Sequence, residues 1–304
     1  MWGRLKREGE GLGLAGVGVH ASGLSFVQVQ RAPRGPVKVA VAEFRPFAGV
    51  EPEKVLARLV LDYDLKKRRC TTLLGDGEYR LIQTEAPDVK PDEMKAALRW
   101  RIKDLIDFHV NDATIDVFDV PVQTPGRTAL VYVVVGRNDA IRKRVDFMYE
   151  AGAALDIIDI PELAQRNLAL LLPQDQEGVA LLTLNEGAGL ITITRNGELY
   201  LSRTIAAVQA PLAEGAGFEH LLLELQRSLD YFESSFRQSP IMNVVVAPQS
   251  PQAIALTTFL KANLSQRVAV WEDGHYGNIE AALPIPATCL LTLGAALRED
   301  KVAL

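Results

Sequence analysis

Cysteine is scarce in this chain: there are two among 304 residues, and neither belongs to a CxxC pair. Cys70 and Cys289 stand far apart in sequence, so no disulfide framework is encoded. Both are expected to serve as small buried hydrophobes in a reducing compartment. Histidine is nearly as rare, with His20, His109, His220 and His275 and no pair at metal-ligand spacing. With no HExxH and no Cys/His cluster, no metal site is expected. The esterase elbow GxSxG and the phosphate loop GxxxxGK[ST] are also missing. Gly11-x-Gly13-x-x-Gly16 spells GxGxxG, but it precedes a strand, and Val17-Gly18-Val19 does not open the helix that a dinucleotide site requires.

Long apolar runs are lacking too. Ala129–Val135 is among the longest at seven residues, far below the ~20 that span a bilayer, so no membrane crossing is expected. Nor is there a surplus of positive charge: 33 Lys+Arg against 38 Asp+Glu give a net charge of −5, which does not favour a polyanion partner such as nucleic acid. No tract of Pro, Gly or Ser suggests disorder. Met1-Trp2-Gly3-Arg4-Leu5-Lys6-Arg7 is basic but lacks the apolar stretch of a signal peptide. Residues 1–12 are read as a flexible tail, with Trp2 and Leu5 touching a membrane surface as the alternative.

What remains is a chain that is 48% hydrophobic, enough for one large core or two smaller ones. Gly16–His20, Leu24–Gln30 and Val37–Phe44 read as a strand meander, and Pro52 opens a helix carrying Val55, Leu56 and Leu59 on one face. Leu73-Leu74 and Tyr79–Thr84 flank Gly75-Asp76-Gly77, which predicts a hairpin turn. Pro91 starts a helix with Met94, Leu98, Ile102, Leu105 and Ile106 at helical spacing. The strands Thr114–Val120 and Ala129–Val135 follow. A helix over Ala140–Ala151 stops at Gly152, Leu155–Ile160 is a strand, and Pro161 begins another helix.

From Gly178 the pattern starts again. Val179–Leu184 and Leu190–Thr194 are strands, Asn196-Gly197 signals a type I′ turn into Leu199–Ile205, and a long helix runs over Gly217–Phe236. Val244–Val246 is a buried strand, Ser250-Pro251 caps a helix, Val268–Trp271 is a strand and Ala287–Leu297 a closing helix. Each half is a meander followed by helix–strand alternation, which predicts two related lobes with a cleft between them.

Leu98-Arg99-Trp100-Arg101-Ile102-Lys103 stands out. Its apolar stripe faces a core while Arg99, Lys103 and Trp100 sit elsewhere. A Trp among cations is the composition of an interaction hot spot; the other reading packs Trp100 under the following loop.

Four segments together resemble the actin-like pilus-assembly proteins of the PilM family, and more closely the MshI proteins of the mannose-sensitive haemagglutinin (MSHA) pilus. They are Gly16-Val17-Gly18-Val19-His20-Ala21-Ser22, Ala97-Leu98-Arg99-Trp100-Arg101-Ile102-Lys103-Asp104-Leu105, Glu224-Leu225-Gln226-Arg227-Ser228-Leu229-Asp230-Tyr231-Phe232 and Gly294-Ala295-Ala296-Leu297-Arg298. The resemblance implies an α/β fold of two actin-like lobes with duplicated mixed sheets: 13–177 with a small αβ insert at about 78–137, then 178–286, and a C-terminal helix in 287–304 returning to the first lobe.

It further implies a cytoplasmic protein, peripheral to the inner membrane, in the platform of a type IV pilus. A groove beside the insert would take the cytoplasmic tail of a single-pass partner (PilN-like or MshJ-like), with Arg99, Trp100 and Lys103 near it. An assembly ATPase is a further partner left open. Nucleotide-binding members carry Asp in two phosphate loops, where this chain has Gly18 and Thr183. His20 and Asn185 replace loop glycines, Ser22 closes the first loop, and Pro248-Gln249 stands where paired glycines meet the adenosine. Glycine ligates no cation and proline offers no N–H, so a degenerate site without ATP, Mg or catalysis is expected. Glu186 or Glu43 as a displaced carboxylate would give the alternative, an actin-like ATPase.

Overall fold

Two β-rich stretches on either side of Ala21-Ser22 pair as antiparallel strands β1 (Ala15–Val19) and β2 (Gly23–Arg31), and β3 (Val37–Pro46) continues the meander. Their placement comes from a computed structural model that describes residues 13–31, 36–121, 129–185, 188–206, 216–272, 279–281 and 284–299. The tail 1–12 and Glu186 lie outside those residues. Strand β4 (Cys70–Leu73) adds in parallel to the free side of β1, and β8 (Leu155–Asp159) in parallel to β4. Parallel neighbours need long crossovers; these carry helices α1 (Pro52–Asp62) and α3 (Asn138–Glu150). Strand β14 (Ile279–Ala281), which no sequence signal announced, joins β3 in parallel and completes the order β14-β3-β2-β1-β4-β8.

The second lobe repeats this plan. The meander β9 (Val179–Asn185), β10 (Ala188–Arg195) and β11 (Glu198–Ala206) takes β12 (Asn243–Ala247) in parallel on β9 and then β13 (Arg267–Val270). Asn196 and Gly197 have φ of 52° and 74°, the pair of positive angles that a type I′ turn demands. Helix α5 (Ala216–Phe236) buries Leu221, Leu225, Leu229 and Phe232 on one stripe, each worth roughly 1.5–3 kcal/mol of transfer free energy. Ser228 on the same stripe satisfies its hydroxyl on the Glu224 carbonyl at 2.7 Å. Helix α6 (Pro251–Asn263) starts as expected, with Ser250 Oγ accepting the Ala253 N–H at 3.1 Å.

The insert is a third sheet, β5 (Tyr79–Glu85), β6 (Ala113–Asp119) and β7 (Leu130–Arg137), in the order β5-β7-β6. On one face helix α2 (Met94–Ile102) seats Leu98 and Ile102 against Ile115 and Val133. The other face carries Phe118 and Tyr132, which join the hydrophobic cluster of the second lobe.

Two expectations are corrected here. Gly75-Asp76-Gly77 is no hairpin turn: β4 belongs to the six-stranded sheet and β5 to the insert, so the glycines mark a passage between sheets. Helix α2 stops at Ile102, and Leu105, which the helical spacing assigns to its apolar stripe, is 58% exposed.

Both cysteines are buried and unpaired; burial pushes the Cys70 thiol up to about 12 and Cys289 to about 11. Helix α4 (Pro161–Ala169) links the lobes, and α7 (Leu290–Ala296), preceded by a 3₁₀ turn at Ala287–Cys289, packs across it and over β1 and β2. The approach is close because Gly294 lies against α4: a β-carbon there would meet the Ala164 carbonyl oxygen at 2.2 Å. Asn167 Nδ2 donates to the Gly294 carbonyl at 2.9 Å and fixes the pair. Gly294→Ala is therefore expected to cost about 1–3 kcal/mol and to lower the melting temperature by several degrees, read by circular dichroism.

Candidate functional site

A cleft of about 1200 Å³ runs between the lobes and under the insert. Its floor is the β1–β2 turn with Gly18 and His20, together with Thr292 of α7; one wall is β10 and β11 of the second lobe, the other β5 of the insert and the start of α4.

The β5 wall is an open strand edge. The Arg137 N–H donates to the Glu78 carbonyl and the Ala86 N–H to that of Ala129. In an antiparallel ladder bonding alternates along the strand, so Arg80, Ile82 and Thr84 bond to β7. Tyr79, Leu81 and Gln83 turn their N–H and C=O groups outward, where they have no strand partner among the described residues. Gln83 Nε2 is buried as well, with no acceptor.

At the head of this edge Tyr79 donates its hydroxyl to Glu162 Oε2 at 2.5 Å. Glu162 is 4% exposed, and burial raises its carboxyl above the ordinary range, against the lowering effect of the Tyr79 bond. Burial and the Glu162 charge raise the Tyr79 phenol in turn. Next to them, Asp159 Oδ1 accepts the Ile160 N–H at 2.9 Å and pairs with Arg298 at 3.0 Å.

No protein-family model and no curated protein matches the chain. Solved structures do. A chain of the PilM–PilN type IV pilus biogenesis complex superposes with a TM-score of 0.73 at 18% identity, over 95% of this chain and 98% of that one. The cytoplasmic domain of EpsL, an inner membrane component of the type II secretion system of Vibrio cholerae, gives 0.54 at 13% identity over 94% and 95%. A Bacteroides thetaiotaomicron protein with an actin-like ATPase fold gives 0.50 at 11% identity over 88% and 94%. The fold is actin-like.

Gly18 and Thr183, which the resemblance assigns to phosphate loops, are closely packed here. A β-carbon at Gly18 would lie 2.3 Å from Ser25 Oγ and 2.4 Å from Thr292 Oγ1. Those hydroxyls are hydrogen-bonded to each other at 2.6 Å, and Ser25 Oγ bonds His20 Nε2 at 2.7 Å. The His20 ring also meets Phe44 edge-on, with centroids 5.6 Å apart. A polar network therefore occupies the space into which a side chain at position 18 would extend.

Thr183 is fully buried and donates to Gln165 Oε1 at 2.6 Å, while the Gln165 amide donates to the carbonyls of Leu181 and Leu190 and to Thr192. It does not line the cleft. Pro248 does, whereas Gln249 is exposed outside it. Ser22 is exposed too, and its carbonyl accepts the Phe47 N–H at 2.9 Å. Asn185 closes β9 opposite Ala188. Glu43, one of the two displaced carboxylates considered, is held by Arg45 Nε at 2.5 Å and does not reach the cleft.

Arg99 and Trp100 lie on α2 and Lys103 just after it, and none of them lines the cleft. Arg99 donates to the carbonyls of Val110 at 2.6 Å and Ala113 at 3.4 Å, so it braces the insert from within. Trp100 is 72% exposed, and Lys103 Nζ sits 5.9 Å from its ring centroid. Trp100 is therefore not packed under the following loop.

Tyr79, Gln83, Tyr132 and Glu162 were not singled out in the sequence. The alternation Tyr79-x-Leu81-x-Gln83 is the only local signal they leave.

Two outcomes are expected. Gly18→Ala should lower the melting temperature by the several degrees of an overpacked site, and Gly18→Ala/Ser25→Ala should recover part of that loss. Because the folded state raises the Glu162 carboxyl, its contribution to stability is complete below about pH 4.5, the ordinary value. It fades as pH rises through the folded pKa. Denaturant unfolding at several pH values should show Glu162→Gln lacking that decline.

Proposed function

We propose that this chain is a non-catalytic cytoplasmic scaffold of a type IV pilus platform at the inner membrane, of MSHA type. In this reading it captures the cytoplasmic tail of a PilN- or MshJ-like single-pass partner. The observation that carries the reading is the open β5 edge, with the unpaired Gln83 amide beside it. An extended segment laid along β5 satisfies the outward N–H and C=O groups of Tyr79, Leu81 and Gln83, as strand addition does elsewhere. An apolar side chain of that segment meets Leu81 and Leu201, which line the same cleft.

The likeness to the PilM–PilN complex and to the EpsL cytoplasmic domain supports the choice of partner class. The absence of a metal-binding carboxylate at Gly18 and Thr183, and the hydroxyls that close the space at Gly18, support a site that has given up Mg-ATP. No helix among the described residues is long and apolar enough to cross a membrane, so attachment would come through the partner. Trp100 with Lys103 offers that partner a second contact on the outer side of the insert.

The test is fluorescence anisotropy with a labelled peptide of the partner's cytoplasmic tail. Leu81→Pro removes one outward N–H while the ladder to β7 keeps its own bonds. It should weaken the peptide at least tenfold with the fold intact by circular dichroism; unchanged affinity would refute strand addition. Trp100→Ala should leave the melting temperature unmoved and weaken capture of the full-length partner in detergent.

The competing reading, a nucleotide-gated ATPase, draws on the size of the cleft. A ligand at 100 times its Kd stabilises by about 2.7 kcal/mol, so a shift of several degrees in millimolar Mg-ATP would establish it. On the scaffold reading the melt does not move.

A further inference from the structure

The insert is fastened to the first lobe by both of its chain connections, by Arg144 to Glu78 at 2.8 Å and by Tyr79 to Glu162 at 2.5 Å. Among the described residues its attachment to the second lobe is made by side chains. Tyr132 Oη donates to the Tyr200 carbonyl at 3.0 Å. Tyr200 is the extra residue of a bulge in β11, because Leu199 pairs with Thr194 and Leu201 with Ile193. A bulged residue is left out of the ladder, so the phenol takes the place of a missing strand partner. Phe118 lies tilted against Tyr132 with centroids 5.1 Å apart, and Tyr200 meets Phe232 and Phe236 edge-on at 5.3 and 5.4 Å. Val120, buried in the same cluster, and Leu81 and Leu130, partly buried, complete the contact.

The junction of α4 and α7 is built differently. Gly294 seats α7 directly on the backbone of α4, and Gly16 packs against Thr292 so closely that a β-carbon would meet its carbonyl oxygen at 2.7 Å. A junction packed backbone on backbone at one place and a contact made by side chains at another make a pivot and a fastening.

We propose that the insert is a clasp: Tyr132 on Tyr200 holds the second lobe against the insert, and its release lets that lobe swing about the α4–α7 junction. The clasp also regulates the cleft. Strands β5 and β11 are opposite walls, so a chain lying on β5 also touches Leu201 and Thr204 only while the clasp is engaged. Such an occupant binds the engaged state more tightly and, by linkage, favours engagement. This second step rests on the tail-capture reading; the clasp itself does not.

Pulsed EPR tests it. Nitroxides are placed at Asp119→Cys, exposed on the insert, and Glu233→Cys, exposed on α5, with the native cysteines both buried. The otherwise unaltered chain should give one narrow distance distribution. Tyr132→Phe removes only the hydroxyl and should raise the population at longer distance about fivefold, the factor for one net hydrogen bond; Phe118→Ala should raise it further. Distributions that stay unchanged in both variants overturn the clasp.

Val133→Ala, inside the insert's own core, is the control for unfolding and should lower the melting temperature without a longer distance. If it gives the same long distance, the change is loss of the insert, and the clasp is overturned. The tail peptide should return Tyr132→Phe to the narrow distribution. Peptide that binds without moving the distances overturns the linkage alone. A failure to bind at all refutes tail capture and leaves the clasp to stand on the unliganded distances.

Discussion

The backbone of α7 rests on the backbone of α4 because Gly294 has no side chain to hold them apart, and the arrangement of both lobes depends on that contact. Helix α4 leads from the six-stranded sheet into the five-stranded one. Helix α7 brings the far end of the chain back over β1 and β2. Leu168, Leu181, Val245, Leu293 and Ala296 share one cluster across this junction, so residues from both lobes are buried together. Without the close approach, each sheet would expose the face that the two helices cover. The floor of the cleft follows from the same contact, because Thr292, two residues before Gly294, carries the hydroxyl that meets Ser25.

Much of the architecture was legible because its signals are local. The two meanders, the Asn196-Gly197 turn, the Ser250 cap and the buried stripe of α5 each depend on a few consecutive residues whose backbone preferences or periodicity agree with the fold. The errors arose where one stretch of sequence serves two distant bodies. Gly75-Asp76-Gly77 has the chemistry of a hairpin, but whether the strands that flank it pair is decided by β8 and β7, which come much later in the chain. Leu105 continues the spacing of α2, but there is no further core beneath it. Strand β14 is three residues long, too short for periodicity to show, and it owes its conformation to β3.

The site divided in the same way. Gly18, His20 and Pro248 could be found because a resemblance pointed to their loops, and they do line the cleft. The groups that give the cleft its chemistry were not visible. The edge of β5 is a property of strand order, and Glu162 becomes unusual only when Tyr79 from the insert closes over it. Arg99, expected near a partner groove, braces the insert, and the carbonyls it holds lie more than ten residues further along the chain. Residue type identifies what a side chain is able to do; which partners reach it is settled by tertiary packing.

An unpaired strand edge exposes a protein to aggregation, because the edges of other copies can pair with it. The β5 edge escapes much of that risk through its position. It lines a cleft whose opposite wall is β11, so a sheet pairing with it would have to fit its own side chains, and any helices behind them, between the two walls. A single extended chain is thin enough. On the tail-capture reading, the walls of the cleft set a limit on the thickness of what pairs with β5, which favours a loose terminus over a folded neighbour.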